Sequence, residues 1–165
     1  RGLRYDNSGA RGVFLHYSDV WYFDEPGDEL VMLRKALRDP DGDVRYIAMR
    51  KLNDWVQSQI GGHQRVPWST EGRRDVLVLR EIYLNDIAEM VINMGLTDPC
   101  GTVAREAESV LRSLDPNKRR INLLRKTMDS GRITNYGASE AAKEVYSNWI
   151  QSPPPPVDPD DPFAH

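Results

Sequence analysis

One motif recurs along this 165-residue chain, and the recurrence constrains its fold more than any other feature. The stretch VMLRKALRDPDGDVRYIAMRKLNDWVQS at 31–58 is matched by NLLRKTMDSGRITNYGASEAAKEVYSNWIQS at 122–152. Both begin with Leu-Arg-Lys, pass through a turn containing aspartate, and continue into an alanine-bearing segment that closes on Trp-Val-Gln-Ser or Trp-Ile-Gln-Ser. A third copy, INMGLTDPCGTVAREAESVLRSL at 92–114, lies between them and lacks the tryptophan. A repeated unit of this size cannot bury its apolar face alone, so neighbouring copies must stack and share one core.

The unit has a physical shape. Leu30, Leu33, Ala36 and Leu37 recur at helical spacing. Asp39-Pro40-Asp41-Gly42 then supplies turn chemistry at each position, and Asp43 is positioned to cap a second helix. That helix carries Val44, Ile47, Ala48, Leu52, Trp55 and Val56 on one face, with Arg45, Arg50 and Lys51 expected to point outward. Two amphipathic helices joined by a tight turn make an αα-hairpin.

The rest of the chain divides around this unit. Residues 1–27 are an irregular N-terminal segment, in which Phe14, Tyr17, Trp21 and Phe23 form a short strand or cap the end of a helical core. Residues 28–151 are the helical domain, and 152–165 a proline-rich acidic tail. Gly61-Gly62 ends one helix and a loop-like stretch follows. From Thr70 to Met94 the apolar spacing is helical, as one helix or as two divided at Asn85-Asp86. Further helices are expected at Val103–Leu114, Lys118–Met128 and Tyr136–Gln151. Four consecutive prolines begin the tail and favour polyproline II.

Charge and cysteine content narrow the function classes. There are 22 basic and 25 acidic residues, and Asp158, Asp160 and Asp161 account for the whole acidic excess. A neutral body argues against wholesale charge-driven nucleic-acid binding, though a local patch at 112–132 gathers Arg112, Lys118, Arg119, Arg120, Arg125, Lys126 and Arg132. Cys100 is the single cysteine, so no intrachain disulfide forms. No apolar run reaches the ~18 residues of a membrane helix, and no membrane association is expected. The expected location is intracellular, cytoplasmic or nuclear. Because the chain opens on Arg1, an organellar location after removal of a targeting peptide is an alternative.

LRKALRDPDGDVRYIAMRKL and MGLTDPCGTVAREAESVLRSL resemble HEAT repeats, whose mark is a leucine-rich first helix, an Asp-Pro turn, and a second helix opening on Val-Arg and alanine. Val44-Arg45 matches that mark, and Val103-Ala104 shifts the arginine to Arg105. The copy at 122–152 has neither proline nor Val-Arg and joins through its self-match. The resemblance implies an all-α fold, a short right-handed superhelix of about three HEAT-like hairpins, and a role in holding partners. LLRK followed by AAKEVYSNWI, at about 120–151, is also similar to the end of the helical N-terminal domain of TFIIS, elongin A and Iws1. That similarity implies transcription elongation, but the basic run usual after the tryptophan is replaced by prolines.

No catalytic constellation emerges. His16, His63 and His165 stand in unrelated contexts, and the glycines form no phosphate-binding pattern. Glu106 and Glu108, at i and i+2 on a helix, point apart. No enzyme, cofactor or metal is expected. Trp55 and Trp149 occupy equivalent core positions, whereas Trp68 follows Val66-Pro67 in a loop and is a candidate contact residue. Arg119, Arg120, Arg125 and Lys126 are candidates for a phosphate or an acidic partner. Asp161-Pro162-Phe163 resembles the DPF motif that binds clathrin-adaptor appendage domains. The first expectation is a protein partner held by an interaction or scaffold module. The alternative is a nucleic-acid-associated helical domain, TFIIS-N-like or of the kind found in HEAT-like DNA glycosylases.

Overall fold

A computed structural model describes residues 26–60 and 81–152, and within them all regular structure is helical. α1 spans Pro26–Ala36 and α2 spans Gly42–Ile60. α3 is helical through 81–90 and ends in a π-helical turn, Val91–Gly95. α4 covers Gly101–Ser113, α5 Lys118–Asp129 and α6 Tyr136–Gln151. Residues 1–25, Trp68, the start of the 70–94 helix and the tail from 153 onward lie outside the described residues, and α1 begins at Pro26, within the segment expected to be irregular.

Proline suits the first turn of α1, because its missing N–H is one that no intrahelical carbonyl would reach. In the first turn structure, the Asp39 carboxylate accepts the Asp41 N–H at 2.9 Å, and the Asp41 carboxylate accepts the Asp43 N–H at 2.8 Å. The cap is therefore Asp41, not Asp43. Because α2 begins at Gly42, Asp43 sits inside its first turn, where its charge still favours the helix dipole. The second Asp-Pro turn repeats the geometry: Asp98 Oδ1 accepts the Cys100 N–H at 2.8 Å. An aspartate before proline thus holds the backbone two residues onward in both hairpins.

α3 runs unbroken through Asn85-Asp86, so no second helix starts at Asp86. The π-helical turn closes with the Leu96 N–H on the Val91 carbonyl at 2.9 Å. It delivers Gly95 into the centre of the molecule, where a Cβ would lie 2.6 Å from both Ala107 Cβ and Met49 Cε. Only glycine permits that approach between α3, α2 and α4. Asn117 and Asn135 cap α5 and α6 by accepting the N–H groups of Arg120 and Ala138. After α5 the chain reverses through Gly131, whose φ of 69° suits glycine.

The helices pack as pairs, α1 on α2 and α5 on α6, with α4 against the π-helical turn of α3. The second helices also form a row: α4 packs on α2 along one side and on α6 along the other. One continuous core runs between the layers, from Leu33 and Leu37 through Leu52, Ile87, Leu96, Val103 and Leu111 to Leu124 and Ala142. Met49 is fully buried and Ile47 only partly, a rotation of the expected α2 face by part of a turn. Trp55 and Trp149 are both buried, at 4% and 6% exposure. Trp55 meets Tyr83 of α3 edge to face, with ring centroids 6.2 Å apart.

Candidate functional site

Polar contacts that tie one hairpin to the next determine which charged side chains remain available to a partner. The strongest tie is made by Arg45, which is folded across the two Asp-Pro turns rather than pointing outward. Its Nε and Nη2 donate to Asp98 Oδ2 and Oδ1 at 2.7 and 3.0 Å, a two-pronged pair with the side chains 14% and 6% exposed. Its Nη1 donates to the carbonyls of Asp39 and Pro40 at 2.8 and 3.0 Å. The hydrogen bond to Asp98 raises the guanidinium pKa further above its ordinary value, against the opposing effect of burial. In the copy at 92–114 Ala104 takes the equivalent place and is buried, while Arg105 is exposed on α4 and does not reproduce the tie.

Along the second-helix row, Asn53 donates to Glu106 at 2.8 Å, Gln57 to Ser113 at 2.8 Å, and Arg112 to Glu144 at 3.2 Å. Among the first helices, Glu89 of α3 lies between Arg34 of α1, at 3.4 Å, and Arg119 of α5, at 3.9 Å. Asn93 accepts from Thr127 and from Arg132 at 3.2 and 2.9 Å.

Four of the predicted partner-binding residues lie on α5, and the structure separates them. Arg119, Arg125 and Lys126 are exposed, together with Lys118, Asn122 and Asp129, on one face of the helix. Arg120 is not on that face. It is 2% exposed and points with Leu124 and Thr127 into the molecule. Its Nη2 donates to Glu81 at 2.9 Å and its Nη1 to the Asp115 carbonyl at 3.0 Å. Asn117 donates to the same Glu81 oxygen at 2.6 Å and to Asn85 at 3.0 Å. Burial lowers the Arg120 pKa, and the neighbouring Glu81 charge opposes that shift. Counting arginines in a run could not reveal this. The helical offset does: residue 120 shares its face with 124 and 127, and 118, 122, 125 and 129 occupy the other.

The remaining patch is smaller than the sequence implied. Arg112 pairs with Glu108 and Glu144, and Arg119 shares Glu89 with Arg34. Among the described residues, Lys118, Arg125 and Lys126 carry no ion pair. They make a compact cationic face within nine residues of one helix, opposed only by Asp129 at its end. Trp68 and Asp161-Pro162-Phe163, also expected to contact partners, lie outside the described residues.

Two further groups are chemically distinctive. Cys100, half-buried at the start of α4, has its Sγ 3.1 Å from Thr102 Oγ1; that hydrogen bond, with the Val103 and Thr102 N–H groups, lowers the thiol pKa against opposing burial. Glu29 of α1 is 1% exposed, and its Oε2 accepts no hydrogen bond. Burial raises its pKa, and the positive charge of Lys51 opposes the rise. Among the described residues no three His, Cys, Asp or Glu side chains are grouped to hold a metal, and no helix is long and apolar enough to cross a membrane.

Comparison with protein-family models, with curated proteins and with solved structures finds no match.

Proposed function

We propose that this chain is a HEAT-like array of about three helical hairpins, serving as a non-enzymatic protein-interaction or scaffold module. The observation that carries the reading is the Arg45–Asp98 tie. Val44 is buried in the hairpin core while the next residue reaches the Asp-Pro turn of the following unit, so neighbouring units hold a fixed register. The Val-Arg pair and the Asp-Pro turn thereby divide the work that a stack needs, apolar burial on one side and a polar lock on the other. The row α2, α4, α6 and the continuous core support the same arrangement. An array of this kind offers extended surface rather than a closed pocket. The unpaired cations of α5 make its outer face the part of that surface best suited to an acidic partner.

The test is affinity capture from nuclease-treated lysate, with wild type compared against the K118E/R125E/K126E variant. Proteins retained by the wild type and lost by the variant are the expected result. Capture that disappears on nuclease treatment, together with heparin binding that falls steeply with salt, replaces the protein-partner reading by the nucleic-acid one. No protein distinguishing the two baits refutes the assignment of the face.

A further inference from the structure

We propose that the acidic segment Asp158–Asp161 of this same chain docks on the cationic face of α5. The proposal rests on the reading of that face as a recognition surface, and assigns its first occupant.

The tail and the helix face carry opposite charge. The acidic excess of the whole chain is carried by Asp158, Asp160 and Asp161, since 25 acidic residues exceed 22 basic ones by those three. Within the described residues, Lys118, Arg125 and Lys126 are cations without a carboxylate partner, gathered on a single helix face. Opposite charges of equal number thus stand on neighbouring parts of one chain.

The tail is also long enough to reach the face. α5 and α6 pack against each other and are joined by the short connection 130–135, so they run antiparallel and α6 returns toward the start of α5. At ~1.5 Å per residue, the 16 residues of α6 outrun the 12 of α5 by about 6 Å. Ser152 therefore leaves α6 close to the level of Lys118, with an extended backbone (φ −71°, ψ 127°). Five residues separate Ser152 from Asp158, so six Cα-to-Cα steps span ~20 Å when extended. The cationic face, Lys118 to Lys126, takes up ~12 Å of α5, one helix-packing distance of ~8–10 Å away from α6. The aspartates begin where the reach and the target coincide.

Such a contact is made of exposed ion pairs, so it is individually weak and sensitive to salt. Tethering compensates through an effective concentration in the millimolar range for a short linker. The functional consequence is competition: an acidic partner must displace the tail.

The experiment uses amide NMR of the full chain at low and high salt, with wild type, D158N/D160N/D161N and R125Q/K126Q. In low salt the amide signals of Asp158, Asp160, Asp161 and Phe163 are expected to differ between wild type and R125Q/K126Q, and the difference is expected to vanish in high salt. Tail signals that coincide at low salt overturn the proposal. An acidic peptide of alternating Glu and Pro then probes the face itself. The triple aspartate variant is expected to bind it about twofold or more tighter than wild type, the factor by which a tethered competitor weakens a free one. Coincident tail signals with equal peptide binding by wild type and the triple variant sink the tail contact and leave the recognition face standing. No peptide binding by the triple variant sinks the recognition face as well.

Discussion

Replacing Arg45 by alanine removes two hydrogen bonds to the Asp98 carboxylate and two to turn carbonyls, and leaves Asp98 buried with only the Cys100 N–H. Breaking a fully buried ion pair by truncating one partner costs ~3–5 kcal/mol. Here the Arg45 side chain is 14% exposed and Asp98 keeps one donor, so a loss of about 2–3 kcal/mol is expected. The assay is urea unfolding monitored by helical signal, with ΔG extrapolated from a constant m-value. A double-mutant cycle with Asp98→Asn isolates the pair, and a coupling energy of about 1.5–3 kcal/mol is expected between the two side chains. Arg45→Lys should recover little, because an ammonium cannot span both carboxylate oxygens and the two carbonyls together. The loss should persist in high salt, since a largely buried pair is poorly screened. A loss under ~0.5 kcal/mol, or a coupling near zero, would refute the claim that this tie sets the register of the first two hairpins.

Three other outcomes follow from the same geometry. Gly95→Ala places a methyl 2.6 Å from Ala107 Cβ and Met49 Cε, and is expected to destabilise by ~1–3 kcal/mol in denaturant titration despite the better helix propensity of alanine. Arg120→Ala, which removes the buried guanidinium's hydrogen bonds to Glu81 and to the Asp115 carbonyl and leaves a cavity beside Leu124, is expected to cost ~2–3 kcal/mol, while Arg125→Ala on the opposite face stays within about 0.5 kcal/mol; equal effects would place Arg120 back on the surface. Glu29→Gln tests pH linkage. The folded carboxyl has a raised pKa, so the unfolded chain releases its proton first and stability falls as pH climbs from the ordinary carboxylate pKa through the folded one. The glutamine variant is expected to be more stable than wild type at neutral pH, and the advantage should disappear in acid, as read from unfolding midpoints across pH.

Much of the architecture was already legible in residue order. The 3.6-residue spacing of apolar side chains and the two Asp-Pro turns specify helices and two of the places where they end. These are local properties, fixed by backbone sterics and by which side chains water rejects. Burial of Trp55 and Trp149 follows from the same periodicity.

What tertiary structure decided concerns charge. A lone string of residues presents Arg45 as a solvated flank and Arg119-Arg120 as a pair of equals. Packing brings Asp98 to the first and Glu81 to only one of the second, so one arginine becomes a lock, one a buried strut and one stays at the surface. The π-helical turn that drives Gly95 between α2 and α4 is likewise absent from any local pattern. Its physical reason is a contact with Met49 and Ala107, residues distant along the chain. Partners supplied from other helices determine a side chain's ionic environment, and no reading of its immediate neighbours can contain them.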